Sequence, residues 1–300
     1  MFSLFLKDLT RSKINYNISK KTWFGTGGNA KIFTEMNSVQ SLTFFLKILP
    51  KSVPIFLIGA GSNTIIRDGG INGFTIKLGK YFKKIDFDKK NKIVEIGAAV
   101  KDLDFLKFCY NNSIGGFEYL KGIPGTIGGN LRMNAGCYGK TISDNFKSCK
   151  IVNRNGKILE LKKSEIRFGY RSCSIPFDSI IISAKFRVDI LGKKKILKVI
   201  KENSEKRNSS QPTNYRTGGS TFKNPPNHEA WKLIDKINFR GKKRGGANVS
   251  TKHTNFLINS GKASSLDLEL LGEEIRDNVK KKFNIKLNWE LIRVGSFKKI

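Results

Sequence analysis

The chain has 300 residues, enough for two domains, and its 39% hydrophobic and 11% aromatic content excludes global disorder. A formal net charge of +32 raises nucleic acid as a partner. The lysines, however, run along the whole length, with only short clusters at residues 193–195, 242–244 and 280–282. There is no basic arm and no RNA-binding motif with clustered aromatics, so no nucleic-acid partner is expected.

The chain is rich in Ile and Asn, as AT-biased genomes produce, and this accounts for much of the lysine; anionic ligands are a second cause. Cys109, Cys137, Cys149 and Cys173 form no CxxC pair, and His228 and His253 are the only histidines. No metal site is predicted, and the thiols are expected to be free in a reducing compartment. The opening MFSLFLKDLT holds an acid early and lacks a long apolar core. No signal peptide, no membrane span and a cytoplasmic location are expected.

In chain order, residues 38–49 read as a helix through Leu42, Phe45, Leu46 and Leu49, closed by Pro50 and Pro54. Residues 55–58 form an apolar run that reads as a buried strand feeding a glycine turn. Residues 74–78 and 93–96 read as further strands, and residues 100–111 as a helix ended by Gly115-Gly116. Asn155-Gly156 predicts a hairpin between 150–152 and 157–161, because both turn positions tolerate positive φ. Residues 179–188 read as a longer strand. Residues 193–207 read as a polar helix, 208–227 as a long loop rich in Gly, Pro, Ser and Asn, and 229–237 as a short helix. Ser264-x-x-Asp267 reads as a capping box opening a helix with Leu268, Leu271, Ile275 and Val279 on one stripe. Lys280 to Lys282 sit at its dipole-favoured end. Residues 287–294 read as a closing strand. A domain boundary is expected near residues 190–205.

Five motifs are candidates to carry chemistry. Gly59-Ala60-Gly61-Ser62-Asn63 follows a strand; its glycines admit close approach of backbone amides to an anion, and Ser62 and Asn63 add donors, with a plain tight turn as the equal alternative. The dinucleotide fingerprint fails, since Thr64 holds its last position, and no acid ends the next strand. Gly122-Ile123-Pro124-Gly125-Thr126-Ile127-Gly128-Gly129-Asn130 packs four glycines into eight residues around a proline. A mere turn needs one or two glycines, so a diphosphate loop is the favoured reading. Asn134-Ala135-Gly136-Cys137-Tyr138-Gly139 extends this small-residue surface.

Phe168-Gly169-Tyr170-Arg171-Ser172 offers a carboxylate anchor, against the alternative of a surface Arg stacked on Tyr170. Thr217-Gly218-Gly219-Ser220-Thr221-Phe222-Lys223-Asn224-Pro225 sets a serine on a double-glycine turn, where Ser220 by itself reads as a turn residue. A hydrolase elbow fails because Phe222 stands where the second glycine belongs. In Trp289-Glu290-Leu291-Ile292-Arg293, alternation puts Asn288, Glu290 and Ile292 on one face. Glu290 is either a partly buried, perturbed acid or an edge acid paired with Arg293 or a lysine.

Taken together, these segments resemble the UDP-N-acetylenolpyruvoylglucosamine reductase (MurB) family. The resemblance opens at Thr22-Trp23-Phe24-Gly25-Thr26-Gly27-Gly28 and runs through residues 59–63, 122–129, 134–139, 170–171, 219–225 and 290–295. Each motif is weak alone; their number, order and spacing are specific. The family implies an α+β chain: an FAD-binding fold of the vanillyl-alcohol-oxidase (PCMH) type in two subdomains, then a C-terminal α+β substrate domain. That places the FAD region at 1–190, split near 80–90, and the substrate domain at 191–300. The short interval between Arg171 and Ser220 resembles the family's shorter subtype, which lacks a tyrosine-bearing loop.

The resemblance implies noncovalent FAD, with NADPH as electron donor and an enolpyruvyl UDP-sugar as the small-molecule substrate. Gly59, Gly61, Ser62, Asn63, Gly122, Pro124, Gly125, Thr126, Gly128, Gly129, Asn134 and Gly136 would hold the cofactor. The resemblance further implies that hydride would pass from flavin N5 to the enolpyruvyl double bond, that Arg171 and Glu290 would stabilise the developing enolate, and that Ser220 would protonate the carbon beside the carboxylate. Tyr170, Lys223, Asn224 and His253 are expected to contact substrate. The resemblance implies no obligate protein partner.

Two other readings are a flavin oxidase of the same fold and a nucleic-acid-binding protein. The first 190 residues contain no histidine, which excludes a histidyl flavin link there; attachment through Cys109 or Cys137 stays open. The nucleic-acid reading leaves the glycine loops unexplained.

Overall fold

A computed structural model describes residues 2–298. The chain divides into two units that are not linear halves. The first gathers the N-terminal segment through Lys13, then Phe33–Ala60 and Phe74–Lys206; the second gathers Ile14–Ile32, Gly61–Gly73 and the chain from Arg207 onward. A single cut near 190–205 leaves out the two earlier pieces of the second unit. They belong there because their glycines lie against later backbone: a Cβ on Gly69 would sit 2.4 Å from the Phe297 carbonyl oxygen.

In the first unit, α1 (Phe2–Thr10) precedes the sheets and α2 (Val39–Ile48) follows the strand Asn29–Met36. Ser38 caps α2 by accepting from the Ser41 N–H, and Leu42, Phe45 and Leu46 are buried, as the helical spacing predicts. Strand Ile55–Leu57 pairs in parallel with the later part of Ile71–Leu78. A five-stranded antiparallel sheet runs in the order Ile158–Lys162, Phe146–Val152, Ile180–Arg187, Ile93–Gly97, Ile85–Asp88. Its core face is apolar: Val94, Ile96, Ile151, Ile181, Ala184 and Phe186 are all buried. Each large side chain contributes about 2 kcal/mol by leaving water. Helix α3 (Asp102–Asn111) buries Phe105, which meets Phe117 edge-on at 4.9 Å.

The hairpin at Asn155-Gly156 forms, with a longer turn than expected. Only Gly156 has positive φ. Asn153 closes the turn instead, its side-chain oxygen accepting from the N–H groups of Asn155 and Lys157. Helix α4 (Ile127–Met133) follows the glycine loop. Helix α5 (Lys193–Ser210) runs three residues past its expected end.

The second unit contains α6 (Ala230–Lys236) and α7 (Ser265–Phe283). It also has a three-stranded antiparallel sheet of Lys243–Arg244, Ala247–Val249 and Leu257–Asn259. The capping box forms as predicted: Ser264 accepts from the Asp267 N–H, and Asp267 accepts from the Ser264 N–H. Leu268, Leu271, Ile275 and Val279 are fully buried. The expected strand over 287–294 shrinks to Ile292–Val294, which pairs in parallel with Thr64–Ile66. The preceding residues run along Thr221 and Phe222 through single contacts rather than a ladder. Among the described residues, no helix is long and apolar enough to cross a membrane.

Candidate active site

In the first unit, the glycine loop leads directly into α4. Thr126 caps the helix by accepting from the Gly129 N–H at 3.4 Å. Two amides expected to face an anion are used internally: Ile127 donates to Val100 O and Gly128 to Ala98 O. Several glycines answer to packing. A Cβ on Gly59 would lie 2.9 Å from Thr126 Oγ1, and one on Gly125 would lie 2.7 Å from Asn130 Oδ1 and 2.9 Å from Asp102 Oδ2. Gly136 lies against the Lys140 carbonyl oxygen across a two-residue strand pair. Gly122 faces Cys137 and Tyr138, and Pro124 is half-buried between these glycines. Gly129 is exposed, with only Thr126 Oγ1, at 3.5 Å, near its missing side chain.

Beneath the loop lies a pair that sequence reasoning missed. Asp102, 1% exposed, accepts at Oδ1 from Asn130 Nδ2 at 2.6 Å, while Oδ2 is buried without a partner. Burial pushes its carboxyl up to about 8, against the lowering effect of the Asn130 bond. The Tyr119 hydroxyl is likewise buried without a partner, and burial raises it further above its usual range.

Asn134 ends α4 in the left-handed conformation at φ 40°. Its Nδ2 donates to Gly169 O at 2.9 Å, tying the loop to the hairpin that carries Arg171. Its Oδ1 is buried and unpartnered, an acceptor that suits an N–H on a flat polar ring. Residues 122–136 therefore fit FAD: an exposed glycine edge, a helix N-terminus, and a buried acceptor lacking a protein donor.

Arg171 stands at the tip of the two-residue strands Phe168–Gly169 and Ser172–Cys173, at φ 52°. Its guanidinium lies 5.3 Å from the centre of the exposed Tyr170 ring, the stacking that the alternative reading foresaw. Arg171 is half-buried, and a guanidinium stacked on a ring still offers its fork of donors, so stacking and carboxylate anchoring are compatible. Arg132 braces this region, donating to the carbonyl oxygens of Ile175, Pro176 and Ser179, while the Cys173 thiol donates to Arg132 O.

In the second unit, Gly218 and Gly219 divide the work of presenting Ser220. A Cβ on Gly218 would collide with Phe24, 2.4 Å away, so glycine lets the segment lie on the core. Gly219 takes φ 81° with open space beside it, and Ser220 after it is half-buried. Ser220 then bridges to Phe256. Glu290 comes alongside, its N–H donating to Thr221 O at 2.9 Å and its carbonyl oxygen accepting from Asn63 Nδ2 at 3.1 Å. Asn63 thus spends its amide on backbone, although it was expected to face an anion.

Gly61 lies against Lys21 O, where a Cβ would be only 2.0 Å away, and Ser62 is half-buried beside it. Lys223 is half-buried, its N–H donating to Asn288 O. Asn224 accepts from the Ala230 N–H at the start of α6. His253 packs edge-on against Phe256 at 4.8 Å, with Nδ1 buried and unpartnered. Burial holds its imidazole below the usual range, hence neutral at pH 7.

Comparison with known proteins agrees with this geometry. A family profile described as UDP-N-acetylenolpyruvoylglucosamine reductase, C-terminal domain, matches residues 211–294. One described as an FAD binding domain matches residues 30–162. The reductase of that name from Rickettsia canadensis (strain McKiel) is 45% identical over 286 residues, 95% of this chain and 96% of its own. That of Rickettsia prowazekii (strain Madrid E) is 43% identical over 285 residues, again 95% and 96%. The crystal structure of UDP-N-acetylenolpyruvylglucosamine reductase (MurB) from Thermus caldophilus matches with a TM-score of 0.82 at 25% identity, covering 94% of this chain and 98% of that one. The α+β architecture expected from sequence, a PCMH-type FAD-binding fold with a reductase C-terminal domain, holds. At this identity over nearly its full length, the chain belongs to the UDP-N-acetylenolpyruvoylglucosamine reductase family.

Proposed function

We propose that this protein reduces the enolpyruvyl group of a UDP-amino sugar, with FAD as bound cofactor and NADPH as electron donor, in cytoplasmic synthesis of peptidoglycan precursor. The observation that carries the reading is the Ser220 turn: a half-buried serine that follows Gly219 at φ 81°, with Glu290 joined to the next residue's carbonyl.

Residues 1–190 serve chiefly the cofactor and 191–300 the substrate, with the turns at 59–63 and 122–136 in the cofactor role. FAD held by those turns, with NADPH as its reductant, would supply the hydride. The rest of the chemistry falls to side chains. Arg171 offers a fixed pair of N–H donors to the substrate carboxylate, whose negative charge grows as the double bond is reduced. Glu290, in its protonated form, donates a hydrogen bond to the same oxygens. Ser220 Oγ–H protonates the carbon next to the carboxylate; a serine is a weak acid, but an enolate carbon is a strong base. The Lys223 ammonium lowers the cost of the resulting alkoxide. Tyr170, Asn224 and neutral His253 bind the sugar nucleotide.

The visible spectrum of the purified protein, repeated after denaturation and filtration, tests the cofactor: free flavin in the filtrate is expected. A colourless protein that fails to take up FAD refutes the proposal. Ser220→Ala is then expected to keep FAD reduction by NADPH and to lose turnover of the UDP-sugar by about 10² or more. Near-normal turnover in that variant removes Ser220 from the mechanism.

A further inference from the structure

The segment bearing Glu290 has little regular pairing to hold its register. Before Ile292 its backbone has the single bridge Trp289–Phe222, scattered backbone bonds, and side-chain bonds from Arg276 Nε to Leu287 O and from Asn63 Nδ2 to Glu290 O. A slip of one residue turns every side chain of an extended segment to its other face. The direction of Glu290 therefore needs a lock, and α7 supplies one.

Trp289 and Arg293 both reach α7, and Leu287 and Leu291 are buried; extended-chain alternation then turns Glu290 to the other side. Trp289 enters a notch at Gly272, where a Cβ would lie 2.1 Å from Cη2 of the indole. Its Nε1 donates to Glu273 Oε1 at 2.9 Å, and Arg293 Nη1 donates to the same oxygen at 2.8 Å. The Arg293 guanidinium lies 4.4 Å above the indole ring, and Glu269, which also binds Arg67, stands 3.5 Å from it. Arg276, one turn along α7, completes the charges around Glu273. The Trp289 ring also meets Phe222, two residues after Ser220, at 5.0 Å. Burial alone would raise the Glu273 carboxyl; the bonds from Trp289 and Arg276 and the charges of Arg276 and Arg293 hold it below the usual range, ionised.

We infer that Glu273 is a positioning residue: by fastening Trp289 and Arg293 to α7, it keeps Glu290 turned away from the helix and keeps the Arg293 charge off Glu290. The inference rests on the roles proposed above for Ser220 and Glu290. It explains why Arg293, three residues from Glu290, is not that acid's neutralising partner: its guanidinium is bound to Glu273 and Glu269.

The test uses flavin-loaded protein and follows the two half-reactions separately. Glu273→Gln keeps an acceptor for the Trp289 N–H but loses the charge that holds Arg293; Glu273→Ala loses both. FAD reduction by NADPH is expected to stay within twofold of wild type in both, roughly as for any distant surface change. Enolpyruvyl reduction is expected to fall about 10-fold in Glu273→Gln and about 10²-fold in Glu273→Ala, mainly in kcat. The alkaline limb of the kcat profile is expected to move down by about one pH unit in Glu273→Gln, as the freed cation favours ionised Glu290. Glu273→Gln/Arg293→Gln is expected to move it back. An unmoved limb and wild-type kcat in Glu273→Gln, beside a crippled Glu290→Gln, overturn the inference alone. Normal turnover in Glu290→Gln overturns the role of Glu290 and the inference with it. Equal slowing of both half-reactions means a purely structural Glu273.

Discussion

The buried carboxyl beneath the glycine loop gives a quantitative prediction. Asp102 has one oxygen bonded to Asn130 and the other buried without a partner, and burial moves its pKa from 3.8 to about 8. Its place as first residue of α3 works the other way, but a helix dipole contributes at most about 2 kcal/mol. Desolvating a carboxylate costs several kcal/mol, so burial prevails. Between pH 3.8 and about 8 the folded carboxyl keeps a proton that the unfolded one has released. Folding therefore takes up a proton, and stability falls as pH rises through that window, levelling above it.

The slope is about 1.4 kcal/mol per pH unit, or about 4 kcal/mol accumulated by pH 7. Asp102→Asn keeps the shape and the acceptor for Asn130 and carries no charge at any pH. It is expected to match wild type near pH 4 and to exceed it increasingly up to pH 8. Urea unfolding of flavin-loaded protein at pH 5, 6, 7 and 8, with free FAD held constant, measures this. A stability difference that stays flat across those four pH values refutes the reasoning, because it would mean that Asp102 is ionised in the folded protein throughout.

Other substitutions probe close approaches. Gly59→Ala places a Cβ 2.9 Å from Thr126 Oγ1 and displaces the cap of α4, a loss of about 1 kcal/mol. FAD affinity is expected to weaken about fivefold by fluorescence titration, and unchanged affinity means that Gly59 and Thr126 are not coupled to the flavin. Gly272→Ala gains about 1 kcal/mol in helix propensity. It also drives a Cβ into an indole wedged against Phe222 and Arg293, and overpacking of that kind costs about 1–3 kcal/mol. Net destabilisation in urea and a changed Trp emission are expected; a stabilised variant shows the indole free to move. Asn134→Gly keeps the left-handed backbone but removes both side-chain groups. A shifted flavin absorption maximum is expected, and an unchanged spectrum excludes Asn134 from contact with the ring.

Much was legible in the residues themselves. The 3.6-residue stripe of α7 and its Ser264–Asp267 box marked a helix because apolar periodicity and capping are local properties. Gly218-Gly219-Ser220 marked a serine on a turn for a similar reason: only glycine crosses φ 81° without strain. The isolated Gly272 inside that apolar helix was also a signal, since a glycine there implies close packing. Its partner Trp289, however, lies 17 residues away and is set by the fold.

By itself the sequence determined the periodic and capped elements, the family and the candidate residues for its chemistry, since these depend on residue type and near-neighbour spacing. Only the tertiary structure decided how those residues are used. Asp102 and Asn130, 28 positions apart, became a desolvated pair under Gly125. The Asn63 amide turned to the Glu290 carbonyl, 227 positions away. Arg293 went to Glu273 rather than to Glu290. Desolvation, hydrogen-bond partnering and charge pairing act through space at a few ångströms, so no local pattern in the chain encodes them.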